Sequence, residues 1–200
     1  MASNSNKRRK AHRSLITTSS TFHHDGVDYK VDARGRGIYK GILEMIIEQL
    51  IIARAIHKRL LVIRCDLKST NFKKGNEEIS RFRKRIVQWI ERNYQTHSVG
   101  TAWAREQKTS EYQHYHFALW IDGGKIRHSK KLKMIIKDKW IEEDPCNRST
   151  WECENGAYFV TNDEIFHKAV FRLSYLAKVS SKGHQPEHYN NYSTSRLKVK

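Results

Sequence analysis

Two stretches in which polar and apolar residues alternate, residues 98–106 and 112–121, constrain this chain more than any other feature. A period of two belongs to a strand whose two faces differ, and the short polar link around residues 108–110 joins the pair as an antiparallel hairpin. On the second stretch Tyr115, Phe117, Leu119 and Ile121 point one way, and His114, His116, Ala118 and Trp120 the other. On the first, Val99, Thr101 and Trp103 share a face, while Gly100, Ala102, Ala104 and Glu106 share the opposite one. Residues 60–67 read as a third strand, with Leu61, Ile63, Cys65 and Leu67 on one side and Val62, Arg64 and Asp66 on the other. One sheet face is therefore expected to be solid apolar core. The other is expected to be a floor of small residues carrying two histidines and two carboxylates.

Helical periodicity surrounds these strands. Ile38, Ile42, Met45, Ile46 and Leu50 mark a helix over 37–58, and Ile79, Phe82, Ile86 and Trp89 mark another over 76–94. A third, over 129–141, uses Leu132, Ile135, Ile136 and Trp140 and stops before Pro145. A weaker strand is expected near 157–160 and a last helix over 163–178. The fold class is then α+β, with a central antiparallel sheet and helices packed on one face. A length of 200 residues suits one domain, and neither an internal repeat nor an interdomain linker is visible. Residues 1–24, with Lys7-Arg8-Arg9-Lys10 and Arg13, read as a basic disordered tail. The domain then covers 25–196, and 197–200 is a second basic tail.

Charge narrows the partners. Lys and Arg number 38 against 21 Asp and Glu, a formal net charge of +17, which calls for a polyanion, nucleic acid before an anionic membrane surface. No apolar run approaches the ~18 residues of a membrane span, and no signal-peptide core is present. The three cysteines form no disulfide framework, and the spacing between Cys146 and Cys153 matches no common zinc finger. The expectation is a cytoplasmic protein with no membrane partner. No Gly-x₄-Gly-Lys-Ser/Thr occurs and Gly35-x-Gly37-x-x-x-Gly41 lacks dinucleotide spacing, so no nucleotide cofactor is expected.

Two places carry chemistry. His114 and His116, two apart on one strand face, with Glu106 beside or diagonal to His114, suit a divalent metal with nitrogen and oxygen ligands. Asp66 is the other candidate for third ligand. On the last helix, with Leu173 at the centre of the buried stripe, Phe166, Ala169, Val170, Leu176 and Ala177 fall within ~60° of it. Tyr175 lies ~160° away, grouped with Phe171, Lys168, Lys178 and Lys182. A tyrosine outside the core and ringed by ammonium groups is not there to fill the core: those groups would stabilise its phenolate and attract a phosphate diester, or the ring is a surface aromatic on a basic, DNA-contacting helix. Trp120 and Tyr112, on or near the active face, are candidates for stacking an unpaired base.

The order His114-Tyr115-His116 on a strand, then Tyr175-x-x-Lys178 on a helix, resembles the HUH endonucleases that nick single-stranded DNA. Arg64-Cys65-Asp66-Leu67, Trp103-Ala104-Arg105-Glu106, His114-Tyr115-His116-Phe117 and Leu173-Ser174-Tyr175-Leu176-Ala177-Lys178 together resemble the filamentous-phage-type replication initiators. Their YagK/YfjJ-like relatives in integrated bacterial elements are included. The likeness spans roughly residues 35–196, with Ser195-Arg196 echoing a late basic motif. It departs from the pattern in the tyrosine between the histidines and in the single tyrosine on the last helix. The resemblance implies an HUH/RRM-like palm that holds Mg²⁺ or Mn²⁺ on His114, His116 and Glu106 or another acid. It implies that Tyr175 attacks the phosphate, leaving a 5′-phosphotyrosyl link and a free 3′-hydroxyl, while Lys178 orients the phosphate or lowers the phenol's proton affinity. Arg64, Arg105, Trp120, Lys168, Lys182 and Arg196 are the expected DNA contacts. The partner is single-stranded DNA or an origin hairpin, and unwinding falls to negative supercoiling or a separate helicase. The rival expectation is a non-catalytic, RRM-like nucleic-acid-binding module.

Overall fold

The computed structural model describes residues 16–35, 37–73, 75–106, 112–148, 150–179 and 190–199. In chain order the elements are β1 (Ile16–Thr17), β2 (Thr21–His24), β3 (Val27–Lys30), β4 (Ile38–Tyr39), α1 (Lys40–Ile56), β5 (Leu60–Lys68) and α2 (Glu77–Tyr94). There follow β6 (Gly100–Glu106), β7 (His114–Asp122), α3 (Ser129–Ile141), β8 (Trp151–Val160), α4 (Asp163–Leu173), a 3₁₀ turn (Ser174–Ala177) and β9 (Tyr192–Thr194). Five strands make one sheet in the order β8–β5–β7–β6–β9, with every neighbouring pair antiparallel. The α+β class with a central antiparallel sheet stands as expected.

The helices, however, cover both faces rather than one. Ile63, Phe117, Leu119 and Ile121 pack on Ile79, Phe82 and Ile86 of α2 and on Leu132, Ile136 and Trp140 of α3. On the opposite face Val62, Ala102, Ala104, Ala118 and Trp120 pack on Leu43, Ile46 and Leu50 of α1 and on Phe166, Val170 and Leu173 of α4. The reason lies in the floor itself. Glycine and alanine side chains leave a shallow bed, and a helix as apolar as α1 gains more by filling it than by facing water. Only the end of that face nearest Glu106 and His114 stays open.

Trp120 shows how tightly the bed is filled. A Cβ built on Gly100 would lie 1.6 Å from Trp120 Nε1, and Trp120 itself is fully buried. Gly100→Ala must therefore displace an indole that has nowhere to go. The expected cost is about 3 kcal/mol, the upper end of overpacking effects, read as a lower denaturation midpoint at unchanged m-value.

Part of the stretch expected as tail is ordered. Ile16–Thr17 pairs with β4, and β2 pairs with β3 through Asp25-Gly26, whose φ angles of 48° and 76° make a tight hairpin turn. Residues 1–15 lie outside the described residues. At the other end, β9 adds to the edge of β6, held where Ser195 Oγ (3.1 Å) and Leu197 N (2.7 Å) donate to Gln49 Oε1.

Candidate active site

The open end of the sheet is assembled by register. Glu106 stands directly opposite His114, and His116 stands between Ala104 on one side and Asp66 on the other. Since these residues share one face, their side chains converge. One ligand atom each from Glu106, His114 and His116 lies within 4.8 Å of the others. His114 Nε2 is 3.3 Å from Glu106 Oε2, and His116 Nε2 touches the same oxygen. The other ring nitrogen of His116, Nδ1, is 2.6 Å from Asp66 Oδ1, and Arg64 Nη2 donates to that carboxylate at 3.2 Å. Of the two acids, Glu106 is the one that forms a possible metal-binding group with the imidazoles. Glu106 belongs with the imidazoles, while Asp66 orients His116 from behind, the arrangement that fixes ring and tautomer in carboxylate–histidine–metal sites.

Burial and charge set the acids. Burial alone would raise the Glu106 carboxyl, but hydrogen bonds from His114 and His116 overcome it and hold the group well below the usual range. Asp66 behaves alike: burial pushes it up, and His116 with Arg64 brings it below its ordinary value. Both are carboxylates at neutral pH, as metal binding requires.

Tyr175 roofs the cluster, though not from a helix. α4 ends at Leu173, and Tyr175 sits in the 3₁₀ turn that follows, partly buried. Its ring meets that of His116 edge-on, with centroids 4.8 Å apart and planes at 86°. Arg64 Cζ lies 4.3 Å and Lys178 Nζ 4.6 Å from the Tyr175 centroid. The expectation that surrounding lysines ease loss of the phenol proton is not met. Burial raises the Tyr175 pKa, Glu106 adds to this, and Arg64 opposes it only in part. The Lys178 ammonium group stands 3.0 Å from Asp32 Oδ2. Together these groups open on a cleft of about 490 Å³ lined by Asp66, Lys68, Ser69, Glu106, Tyr112, Gln113, His114, His116 and Tyr175.

The expected DNA contacts fare unevenly. Trp120 is sealed beneath α1 and cannot stack a base. Arg105 points to the opposite face, is buried, and donates to Gln113 Oε1 at 2.7 Å and to the Lys73 and Gly75 carbonyls, so it anchors that loop rather than a phosphate. Arg64 is buried in the cluster as a support for Asp66 and Tyr175. Lys168 is exposed on α4 and paired with Glu164 at 2.6 Å, and Arg196 is exposed just beyond β9; neither lines the cleft. Lys182 lies outside the described residues. Tyr112, 37% exposed, does line the cleft, and Lys68 and Ser69 join it unannounced. Asp32 was also missed. Nothing in Val31-Asp32-Ala33 marks an acid that reaches a lysine 146 positions later.

An α+β protein with an antiparallel five-stranded sheet and a two-imidazole, one-carboxylate cluster beneath a tyrosine is what fold and site define. The sequence profile described as the YagK/YfjJ C-terminal domain matches residues 20–195, and the chain belongs to that family. No curated protein and no solved structure matches it. Among the described residues, no helix is long and apolar enough to cross a membrane.

Proposed function

We propose that this protein is a metal-dependent DNA endonuclease and strand transferase of the HUH type, which nicks and rejoins single-stranded DNA through Tyr175. The reading places it at the start of rolling-circle replication of a phage or integrated element, with a separate helicase for unwinding. One observation carries it: the Tyr175 ring rests against His116, itself one of three converging ligand residues. That juxtaposition lets a single phosphodiester meet both the phenol and the cluster.

The donor set fits a divalent ion. His116 has a carboxylate on each ring nitrogen, so Nε2 either keeps a proton toward Glu106 or gives that place to a cation. Two imidazoles and one carboxylate leave coordination positions for substrate oxygen, as Mg²⁺ or Mn²⁺ needs. Such an ion, held by Glu106, His114 and His116, supplies positive charge to a non-bridging phosphate oxygen.

The chain's own groups do the rest. Tyr175 Oη forms the new bond to phosphorus while the bond from phosphorus to the 3′ oxygen breaks. The phenol gives up its proton and the departing oxygen takes one up, so the exchange of esters is balanced. Burial raises the phenol's pKa above its ordinary value, and Glu106 adds to the effect. Lys178 orients the phosphate from beside the ring. Tyr112, half-exposed at the cleft, offers a face for an unpaired base.

The test is incubation with labelled single-stranded oligonucleotides and Mn²⁺, followed by a denaturing gel. The expected result is a DNA-linked protein band whose adduct maps by mass spectrometry to Tyr175. Salt-sensitive binding with no adduct under any metal would make the protein a binding module instead.

A further inference from the structure

Asp32 lies outside the cleft lining, yet it gathers two cations beside Tyr175. Its carboxylate is buried, with the residue 7% exposed. Arg34 Nε donates to Oδ1 at 2.8 Å and Arg34 Nη2 to Oδ2 at 3.0 Å, while Lys178 Nζ stands 3.0 Å from Oδ2. The backbone binds the same two segments. Asp32 N donates to Ser174 Oγ at 2.9 Å, Val179 N donates to the Gly37 carbonyl at 3.0 Å, and Ile38 bridges to Lys178. Residues 32, 37 and 38 are thereby tied to the turn bearing Tyr175.

The Arg34 side chain is 84% exposed. The pair joins a buried carboxylate to a guanidinium that stays in water. What the geometry does is hold a guanidinium still. Two of its five N–H groups are engaged by the carboxylate and the other three are left facing solvent. Its proton is held more tightly than usual by the Asp32 carboxylate. Asp32 thus gathers a guanidinium and an ammonium group at one spot. A planar fork fixed in advance, next to an ammonium group, suits the tetrahedral oxygens of a phosphodiester.

We propose that Arg34 and Lys178, positioned by Asp32, form a second phosphate seat that takes the backbone phosphate adjoining the one attacked by Tyr175. The seat rests on the reading of the site as one that engages single-stranded DNA. It differs from the cleft in needing no metal.

The experiment is equilibrium binding of a fluorescent oligothymidylate in EDTA over a series of salt concentrations. Arg34→Ala is expected to weaken binding and to make the log–log salt slope shallower by about 0.7, the loss of one single-strand phosphate contact. Arg34→Lys is expected to restore the slope but not the full affinity, since it keeps the charge and loses the fork. Arg127→Ala, an exposed arginine beyond the far end of β7, is the control and should leave the slope unchanged. An Arg34→Ala protein that matches wild type, or an equal slope loss in Arg127→Ala, overturns the seat. The assay reads no cleavage, so the two readings fail separately. A chain that never forms an adduct yet shows the Arg34 slope loss keeps Arg34 and Lys178 as a seat for a DNA phosphate and loses the nuclease, and with it the seat's place beside an attacked phosphate. A chain that forms the adduct and ignores Arg34 loses only the seat.

Discussion

Tyr175→Phe is expected to abolish covalent attachment to DNA while single-strand affinity in EDTA stays at the wild-type level. Loss of a nucleophile of this kind costs on the order of 10⁴-fold or more in rate. Phenylalanine is the informative replacement because everything but the hydroxyl is retained. The ring still meets His116 edge-on, still lies under Arg64 and Lys178, and still covers the cluster, so neither fold nor metal site is disturbed. The comparison that sharpens the result is Tyr112→Phe. Tyr112 shares the cleft, and its replacement is expected to leave adduct formation intact. Persistent nicking in Tyr175→Phe, with loss in Tyr112→Phe, would move the nucleophile to the other side of the cleft.

Alternation in residues 98–121 was enough to place His114, His116 and Glu106 on one face, because side-chain direction in a strand depends only on parity. The register that sets Glu106 opposite His114 followed from a short hairpin link. What parity does not contain is the depth of cover above each residue. Trp120 shares the face of His116, yet α1 lies over one and the cleft over the other, and only the three-dimensional path of α1 decides which. Tyr175 was placed outside the core by helical geometry, and it is there, even though the helix ends two residues before it. The first turn beyond a helix keeps much of its direction, so the face survived the error in length. The edge strand β9 and the Asp32 contacts were not legible. A three-residue polar strand has no periodicity to detect, and an ion pair between Asp32 and Lys178 leaves no local signal. The Asp25-Gly26 turn was readable in principle, since that dipeptide favours the tight hairpin it forms.

The candidate metal centre makes the second large prediction, and it separates ligands from supports. Glu106→Gln and His116→Ala are expected to remove Mn²⁺ binding measured by calorimetric titration, and with it the adduct. Asp66→Asn is expected to weaken binding by about 10- to 100-fold and to leave an adduct recoverable at high Mn²⁺, because the residue orients His116 without touching the ion. EDTA stops the wild-type reaction and added Mn²⁺ restores it. The order of severity is the decisive reading. If Asp66→Asn proved as complete a loss as His116→Ala while Glu106→Gln bound Mn²⁺ normally, the ion would lie on the Nδ1 side of His116 and the cluster would have been assigned the wrong way round. Stability offers an independent check in the absence of metal. His116→Ala takes one partner from each of two carboxylates, leaving Glu106 with His114 and Asp66 with Arg64, so the apo-protein should lose stability. Glu106→Gln removes one of those charges and should cost less. A protein in which both replacements left the denaturation midpoint unchanged would not have the buried carboxylate–imidazole–carboxylate chain on which the site is built.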